Sequence, residues 1–138
     1  MKIVKTLTQE RAEYAYDKIN QIRLKPQYSP AKVAMHLRRL PAMVLANGLG
    51  QTLAFLLADA GCDKNKPSYL VYDMLAQWLV AKRKLYEGQP HDLIYHLVSG
   101  NRVAYQRAQQ EVWALLDWLR KFADAYLPST ETKGEGKL

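Results

Sequence analysis

The positions of the prolines limit the fold more than any other feature of the sequence. The chain has six prolines, and they fall between segments whose apolar residues recur with helical spacing. Proline cannot donate a hydrogen bond inside a helix but fits the first turn of one, so each proline indicates a helix boundary. The sequence therefore predicts separate helices divided near Pro26, Pro30, Pro41, Pro67, Pro90 and Pro128.

Residue usage also favours helices over strands. Leu and Ala supply 36 residues, against 17 from the β-branched Val, Ile and Thr, which lose more rotamer freedom in a helix. No segment alternates apolar and polar residues for long enough to indicate a strand. The 138 residues are the length of one domain. We therefore predict an all-α protein, a compact single-domain bundle of about five to six helices over residues 1–128.

Turn residues and caps locate the expected helices more closely. Gly61 and Gly88 are typical residues after a helix end, and Ser29 and Asn101 are typical N-caps. The helix at 41–60 is apolar on nearly every side, which predicts a central, buried position. Residues 129–138 have no apolar period, and we predict that they form a disordered tail. The expected helices cover 8–22, 30–40, 41–60, 67–86, 90–98 and 102–126.

Two of these helices have a clear apolar face. The first helix carries an apolar stripe at Ala12, Ala15, Tyr16, Ile19 and Ile22. In the last helix the residues that share one arc are Tyr105, Ala108, Val112, Leu115, Leu116, Leu119, Phe122, Ala123 and Tyr126. Both faces are expected to pack against the core.

The charge balance indicates an anionic partner. Twenty Lys and Arg against 13 Asp and Glu give a formal net charge of +7 and a pI near 9.5. The lysines and glutamates of the tail cancel, so the whole surplus belongs to residues 1–128. Nucleic acid is the commonest partner for a surplus of this size.

Composition also excludes several classes of protein. The one cysteine, Cys62, allows no intramolecular disulfide and no cysteine-based zinc cluster. The N-terminus lacks the apolar core of a signal peptide, and the apolar stretch at 40–60 is interrupted by polar residues and glycines. We therefore predict a cytoplasmic protein with no membrane span.

The sequence carries no catalytic pattern. His36, His91 and His96 do not have the spacing of metal ligands or of acid–base pairs. We predict that the protein is not an enzyme and has no catalytic residue, no metal site and no cofactor.

A glycine-containing run at 47–51 resembles a phosphate-binding loop only superficially. Such a loop needs a strand before it and a Lys-Ser/Thr pair after it, and the sequence has neither. A glycine inside a helix costs about 1 kcal/mol relative to alanine, which the close approach of another backbone would offset. We assign Asn47, Gly48, Gly50 and Gln51 to core packing, with the two amides pairing or capping a neighbouring element.

Candidate binding residues are three groups of basic side chains and one tryptophan. The helix dipole also favours cations near helix C-termini, so a structural interpretation of the first two groups stays open. Lys82 projects into the apolar arc of its helix, so it either snorkels or marks a contact surface. Trp113 projects among polar residues, which indicates a partner interface or base stacking unless the tail or another helix covers it. The basic candidates are Arg38, Arg39, Lys82, Arg83, Lys84, Arg102 and Arg107.

Two segments resemble a known family. The run LPAMVLANGLGQTLAFL at 40–56 resembles the signature of the small subunit of type III-B CRISPR effector complexes, the Cmr complex. The run RAEYAY at 11–16 is similar to the opening helix of that family, and the helical layout agrees over about residues 8–127.

The resemblance implies a non-catalytic scaffold in antiviral defence. Family members stack into a short filament beside the backbone subunits and help line a basic groove that holds guide RNA and target RNA. Cleavage of target RNA belongs to the backbone subunits, and the large subunit carries the nuclease and cyclic-oligonucleotide chemistry. On this interpretation the seven basic candidates face the RNA channel, since backbone-directed binding needs Lys and Arg near phosphates. Trp113 and the apolar ends of the last helix would contact neighbouring subunits.

Two alternatives from other classes stay open. A stand-alone helical nucleic-acid-binding protein, such as a small repressor, would need a helix-turn-helix with a polar recognition face, and the helix at 41–60 does not provide one. A small ribonuclease would need paired acid and base groups, which the three scattered histidines do not provide.

Overall fold

The computed structural model describes residues Val4–Ser129, and these form an all-α domain without a strand. This confirms the predicted fold class. The predicted tail at 129–138 lies outside the described residues except for Ser129. Two short 3₁₀ turns, Pro26–Tyr28 and Pro90–Asp92, precede the second and fourth helices. The helices are α1 (Leu7–Arg23), α2 (Pro30–Ala60), α3 (Pro67–Ala76), α4 (Leu93–Ser99) and α5 (Arg102–Tyr126).

The core lies where α2 packs against α3 and α5, and where α1 packs against α5. The predicted apolar arc of α5 is confirmed at its centre, where Val112, Leu115 and Leu119 are completely buried. In α1 the predicted stripe is wrong at one position. Tyr14 is buried and donates a hydrogen bond to the Met74 carbonyl at 2.6 Å, whereas Tyr16 is 44% exposed. The hydrogen bond offsets the desolvation of the tyrosine hydroxyl, because buried polar groups need a partner.

The second helix is a hairpin with two arms, 30–47 and 49–60. His36 Nε2 lies 3.7 Å from Asp59 Oδ2, although 23 residues of straight helix would separate them by about 34 Å. The chain reverses at Gly48, whose φ of 86° and ψ of 163° are not helical. The predicted boundary at Pro41 is therefore wrong, because the first arm continues through Pro41. The sequence predicted two helices here, and the structure has two arms, but the boundary between them lies at Gly48, seven residues after Pro41.

Side chains of α5 stabilise this reversal. The first backbone N–H groups of a helix have no partner within the helix. At the start of the second arm, Leu49 N donates to Gln109 Oε1 and Gly50 N donates to Tyr105 Oη, both at 2.9 Å. The Thr52 hydroxyl donates to the Gly48 carbonyl at 2.9 Å. The backbone N–H groups of Leu49 and Gly50 therefore find their acceptors on α5, a helix that is distant in sequence.

The glycines of the run at 47–51 serve a close contact, but with a side chain rather than with a backbone. A Cβ on Gly48 would lie 3.2 Å from Tyr105 Oη, and one on Gly50 would lie 3.3 Å from it. The prediction that Asn47 and Gln51 pack in the core is wrong, because both are exposed. They lie on the side of the hairpin that faces away from the core.

The predicted all-round burial of the helix at 41–60 is also wrong. The fold-back buries one face of each arm, including Val44, Leu49 and Leu53, and leaves the other faces exposed. Leu45 is 77% exposed as a result. By length and hydropathy alone, α2 as a whole is long and apolar enough to cross a membrane. This finding differs from the prediction that the chain has no membrane span. The reversal at Gly48 means that these residues do not form one straight helix.

The helix predicted at 67–86 ends earlier than expected. After Ala76 the chain widens into a π-helical turn at Gln77–Lys82, and Arg83 N donates to Trp78 O at 2.8 Å. A π turn inserts an extra residue and shifts the side chains that follow it around the helix axis. Lys82, predicted to project into the apolar arc, is therefore exposed.

A buried carboxylate connects α1, the π turn and α5. Glu111 accepts two hydrogen bonds from Arg11, at 2.7 and 3.0 Å, and one from Trp78 Nε1 at 2.8 Å. Arg83 Nε lies 3.7 Å from the same carboxylate. Burial raises the pKa of Glu111, but these hydrogen bonds and the two guanidinium charges outweigh burial and lower it overall. Glu111 was not among the predicted residues, although its position between Ala108 and Leu115 places a carboxylate in the apolar arc.

Replacing this carboxylate should destabilise the domain. We expect Glu111→Gln to lower the free energy of unfolding by about 3 kcal/mol, because it leaves the partly buried guanidinium of Arg11 without a counter-charge. Urea denaturation at pH 7 measures the loss. Since the pKa of Glu111 is lowered on folding, its contribution is present above about pH 4.5 and is lost as the pH falls through the folded pKa. The exposed Asp117→Asn is the control, with an expected change within about 0.5 kcal/mol. Equal losses of stability from the two substitutions would contradict the stabilising role of the Glu111 carboxylate.

The reversal at Gly48 gives a second stability prediction. We expect Gly48→Ala to cost about 2 kcal/mol, because its backbone conformation is essentially restricted to glycine and the added Cβ would crowd Tyr105. Gly61→Ala is the matched control. Gly61 is left-handed at φ 55°, but the nearest neighbouring atom would lie 3.9 Å from the added Cβ, so we expect about 1 kcal/mol. Thermal unfolding of both variants measures the two losses of stability. A loss from Gly61→Ala as large as that from Gly48→Ala would contradict the prediction.

Candidate nucleic-acid interface

The predicted basic residues differ in whether a carboxylate already contacts them. Arg38 donates to Asp124 Oδ1 at 2.9 Å, so its charge is balanced by α5. Arg83 is turned toward the buried Glu111. Both partners lie far away in sequence, and the spacing of basic residues gave no sign of them.

The remaining members of the second and third groups differ in their surroundings. Lys82 lines a groove with Glu10, Glu13 and Asp17 of α1, which makes its surroundings acidic. Lys84, Arg102 and Arg107 are exposed, and within Val4–Ser129 none of the three lies within 4.0 Å of a carboxylate. These three stay candidates for contact with an anion.

A basic cleft lies between the two arms of α2 and the loop that leads into α3. We call it the α2 cleft, and it has a volume of about 490 Å³. The first arm supplies one helical face, and the second arm and the loop close the cleft. Only the reversal at Gly48 brings these three segments together. The residues that define the cleft are Lys32, His36, Arg39, Phe55, Asp59 and Lys66.

The cations of the α2 cleft have no carboxylate partner in the part of the chain that the structure describes. Lys32, Arg39 and Lys66 make no ion pair within 4.0 Å to any residue of Val4–Ser129, unlike Arg11, Arg38, Arg120 and Lys121. The one carboxylate that lines the cleft belongs to Asp59 and lies beside His36. The cleft thus carries three cations against one carboxylate, an arrangement suited to a polyanion.

His36 adds no positive charge to the cleft at neutral pH. Burial lowers the pKa of His36, and the positive charge of Arg39 lowers it further, whereas Asp59 opposes both effects. The net lowering keeps the imidazole neutral at pH 7. His36 of the first arm therefore lies beside Asp59 of the second arm as a neutral side chain.

An aromatic side chain lies among these cations. Phe55 lines the α2 cleft and is 39% exposed. Phe55, Lys32 and Lys66 were not among the predicted site residues. The helical spacing of Lys32, His36 and Arg39 places them on one face, but nothing in the spacing indicates that the second arm folds against that face.

Trp113 lies in an exposed apolar patch. The tryptophan is 45% exposed, so no helix of the described chain covers it completely. Beside it a shallow cleft of about 250 Å³ is lined by Val44, Leu45, Gln109 and Gln110 together with Trp113. At the two ends of α5, Val103 and Tyr126 are also exposed, at 65% and 48%. Exposed side chains such as Trp113 and Leu45 beside this cleft, which we call the Trp113 patch, are typical of protein interfaces.

The three histidines lie in separate surroundings. His91 is exposed beside Asp92, and His96 stacks on Tyr86 with the ring centroids 5.9 Å apart. His36 lies in the α2 cleft. Within the residues that the structure describes, no three His, Cys, Asp or Glu side chains are grouped so as to hold a metal ion.

Comparison with known proteins gives a consistent result. The family model described as "CRISPR-associated protein (Cas_Cmr5)" matches residues 7–126 of this chain. The chain is also similar to the crystal structure of a CRISPR-associated Cmr5 family protein from Thermus thermophilus. The sequence identity is 24% and the TM-score is 0.66, and the match covers 90% of this chain and 100% of that protein. At this identity the structural match supports a shared fold, whereas the family model matches nearly the whole helical domain.

Proposed function

This chain belongs to the Cmr5 family of CRISPR-associated proteins, and we propose that it is a non-catalytic subunit that stacks with copies of itself and helps hold guide RNA and target RNA. Family membership makes it a small subunit of the type III-B Cmr effector complex and a partner of other Cmr subunits. The stacking, the contacts with RNA and the lack of catalysis are the proposed parts.

The observation that carries the RNA-holding role is the α2 cleft, whose three cations pair with no carboxylate of residues 4–129. Lys and Arg that already face carboxylates gain little from a phosphate, because the new contact replaces an existing one. On this ground Arg39 is the best supported of the predicted contacts, and Lys84, Arg102 and Arg107 stay candidates. Arg38 and Arg83 are poor candidates, because their guanidinium groups already lie beside the carboxylates of Asp124 and Glu111.

The observation that supports contact with another subunit is the Trp113 patch. A large aromatic ring beside an exposed leucine is the composition of an interface hot spot, in which a few buried anchors supply most of the binding energy. The polar amides of Gln109 and Gln110 at its edge would supply the surrounding polar rim. We assign the patch to a neighbouring subunit of the complex.

The RNA-holding role predicts an effect that depends on position and not on total charge. In the reconstituted Cmr complex, we expect Lys32→Gln, Arg39→Gln and Lys66→Gln together to weaken target-RNA binding about tenfold at low salt. The dependence of log K on log salt concentration should become shallower by about 2, since each contact with single-stranded RNA contributes roughly 0.7. Filter binding at several salt concentrations measures both.

The control for that experiment removes the same charge elsewhere. Lys5→Gln, Arg38→Gln and Lys121→Gln together remove three cations that already face Glu13, Asp124 and Asp117. This variant should bind RNA nearly as the wild type does. Equal weakening by both triple variants would show that net charge alone matters and would remove the α2 cleft from the RNA path.

The proposed subunit contact predicts a loss of assembly. We expect Leu45→Ala combined with Trp113→Ala to weaken incorporation into the complex about thirtyfold, the effect of losing a hot-spot residue worth about 2 kcal/mol. Native mass spectrometry of the reconstituted complex measures the occupancy, and circular dichroism checks the fold. Leu24→Ala, at the exposed end of α1, is the control. Unchanged occupancy of the double variant would exclude the patch from the interface.

A further inference from the structure

We propose that the α2 cleft is a binding site for an unpaired ribonucleotide of single-stranded RNA, with the base on Phe55 and the flanking phosphates on Lys32, Arg39 and Lys66. This inference rests on the proposed RNA-holding function and specifies which form of RNA the cleft accepts. Nothing in the sequence motifs assigns Phe55 a role in binding.

Phe55 distinguishes this cleft from a basic surface. An exposed phenyl ring adds nothing to phosphate binding, since phosphates are bound by charge and by hydrogen-bond donors. A nucleobase, by contrast, has a π face that stacks on an aromatic ring whatever its sequence. Phe55 is 39% exposed and shares one cleft with Lys32, Arg39 and Lys66. An apolar ring and a set of cations are the two components that single-strand-binding sites combine.

The shape of the cleft favours a single strand over a duplex. In a duplex the bases are stacked on one another inside the helix, so their faces cannot reach a ring at the wall of a cleft. The volume of about 490 Å³ lies within the range of pockets that enclose a small ligand. An unpaired base can turn into such a space, whereas a double helix can only contact its rim.

The fold holds the two components in a fixed relation. Arg39 and Lys32 lie on the first arm and Phe55 lies on the second, and inside the cleft the arms approach to 3.7 Å between His36 Nε2 and Asp59 Oδ2. The carboxylate of Asp59 would repel a phosphate, but it is the one carboxylate that lines the cleft, and three cations outnumber it there. Lys66 approaches from the loop at the start of α3, whose positive dipole end also favours a phosphate.

The test compares two RNA probes on the isolated full chain. Fluorescence anisotropy measures binding of a labelled ten-nucleotide oligouridylate and of a ten-base-pair RNA duplex at low salt. We expect Phe55→Leu to weaken binding of the single strand about tenfold and to leave binding of the duplex unchanged, because leucine keeps an apolar side chain but has no π face. Phe55→Tyr should retain single-strand binding. The Lys32, Arg39 and Lys66 triple variant should weaken binding of the single strand and reduce its salt dependence.

The outcomes separate this inference from the proposed function. The inference is overturned if Phe55→Leu leaves single-strand binding unchanged, if it weakens binding of both probes equally, or if the wild-type chain binds the duplex better than the single strand. Failure of the wild-type chain to bind the single strand would also overturn it. If the triple variant still weakens RNA binding of the assembled complex in any of these cases, the proposed RNA-holding function stands and the cleft contacts only the RNA backbone.

Discussion

The reversal of α2 at Gly48 is the constraint on which the rest of the structure depends. A chain that turns back within one residue leaves backbone N–H groups without helical partners, and Tyr105 and Gln109 of α5 accept hydrogen bonds from them. The same contacts explain why Gly48 and Gly50 have no side chain, since a Cβ at either position would lie close to Tyr105. The reversal places two arms of α2 side by side and so creates both the central core layer and the α2 cleft.

The buried Glu111 has a complementary effect on the opposite side of α5. It attracts Arg11 and Arg83 and accepts a hydrogen bond from Trp78, and in this way it fixes α1 and the π turn against α5. It also decides which cations are available for a ligand. Arg83 lies next to two lysines in sequence, yet its guanidinium faces inward. A basic run in a sequence is therefore a weak guide to a binding surface, because each cation can find a carboxylate elsewhere in the fold.

The surface contains two regions of different chemistry. The α2 cleft combines three cations with one aromatic ring, which suits a nucleic acid. The Trp113 patch combines apolar side chains with neutral amides, which suits a protein surface. A subunit of a ribonucleoprotein complex needs both kinds of contact, and the proposed function assigns one of them to each region.

The sequence by itself determined the all-α class, the caps and apolar arc of α5, the positive charge and the resemblance to the Cmr small subunits. These properties follow from helical periodicity, from capping and from composition, which act over a few residues or over the whole chain. Only the tertiary structure decided where α2 reverses, which tyrosine of α1 is buried and which cations of residues 4–129 contact a carboxylate. Arg38 pairs with Asp124, 86 residues away, and Tyr105 reaches Gly50, 55 residues away. Interactions at such separations depend on how the helices pack, and the local period of three to four residues carries no information about that packing.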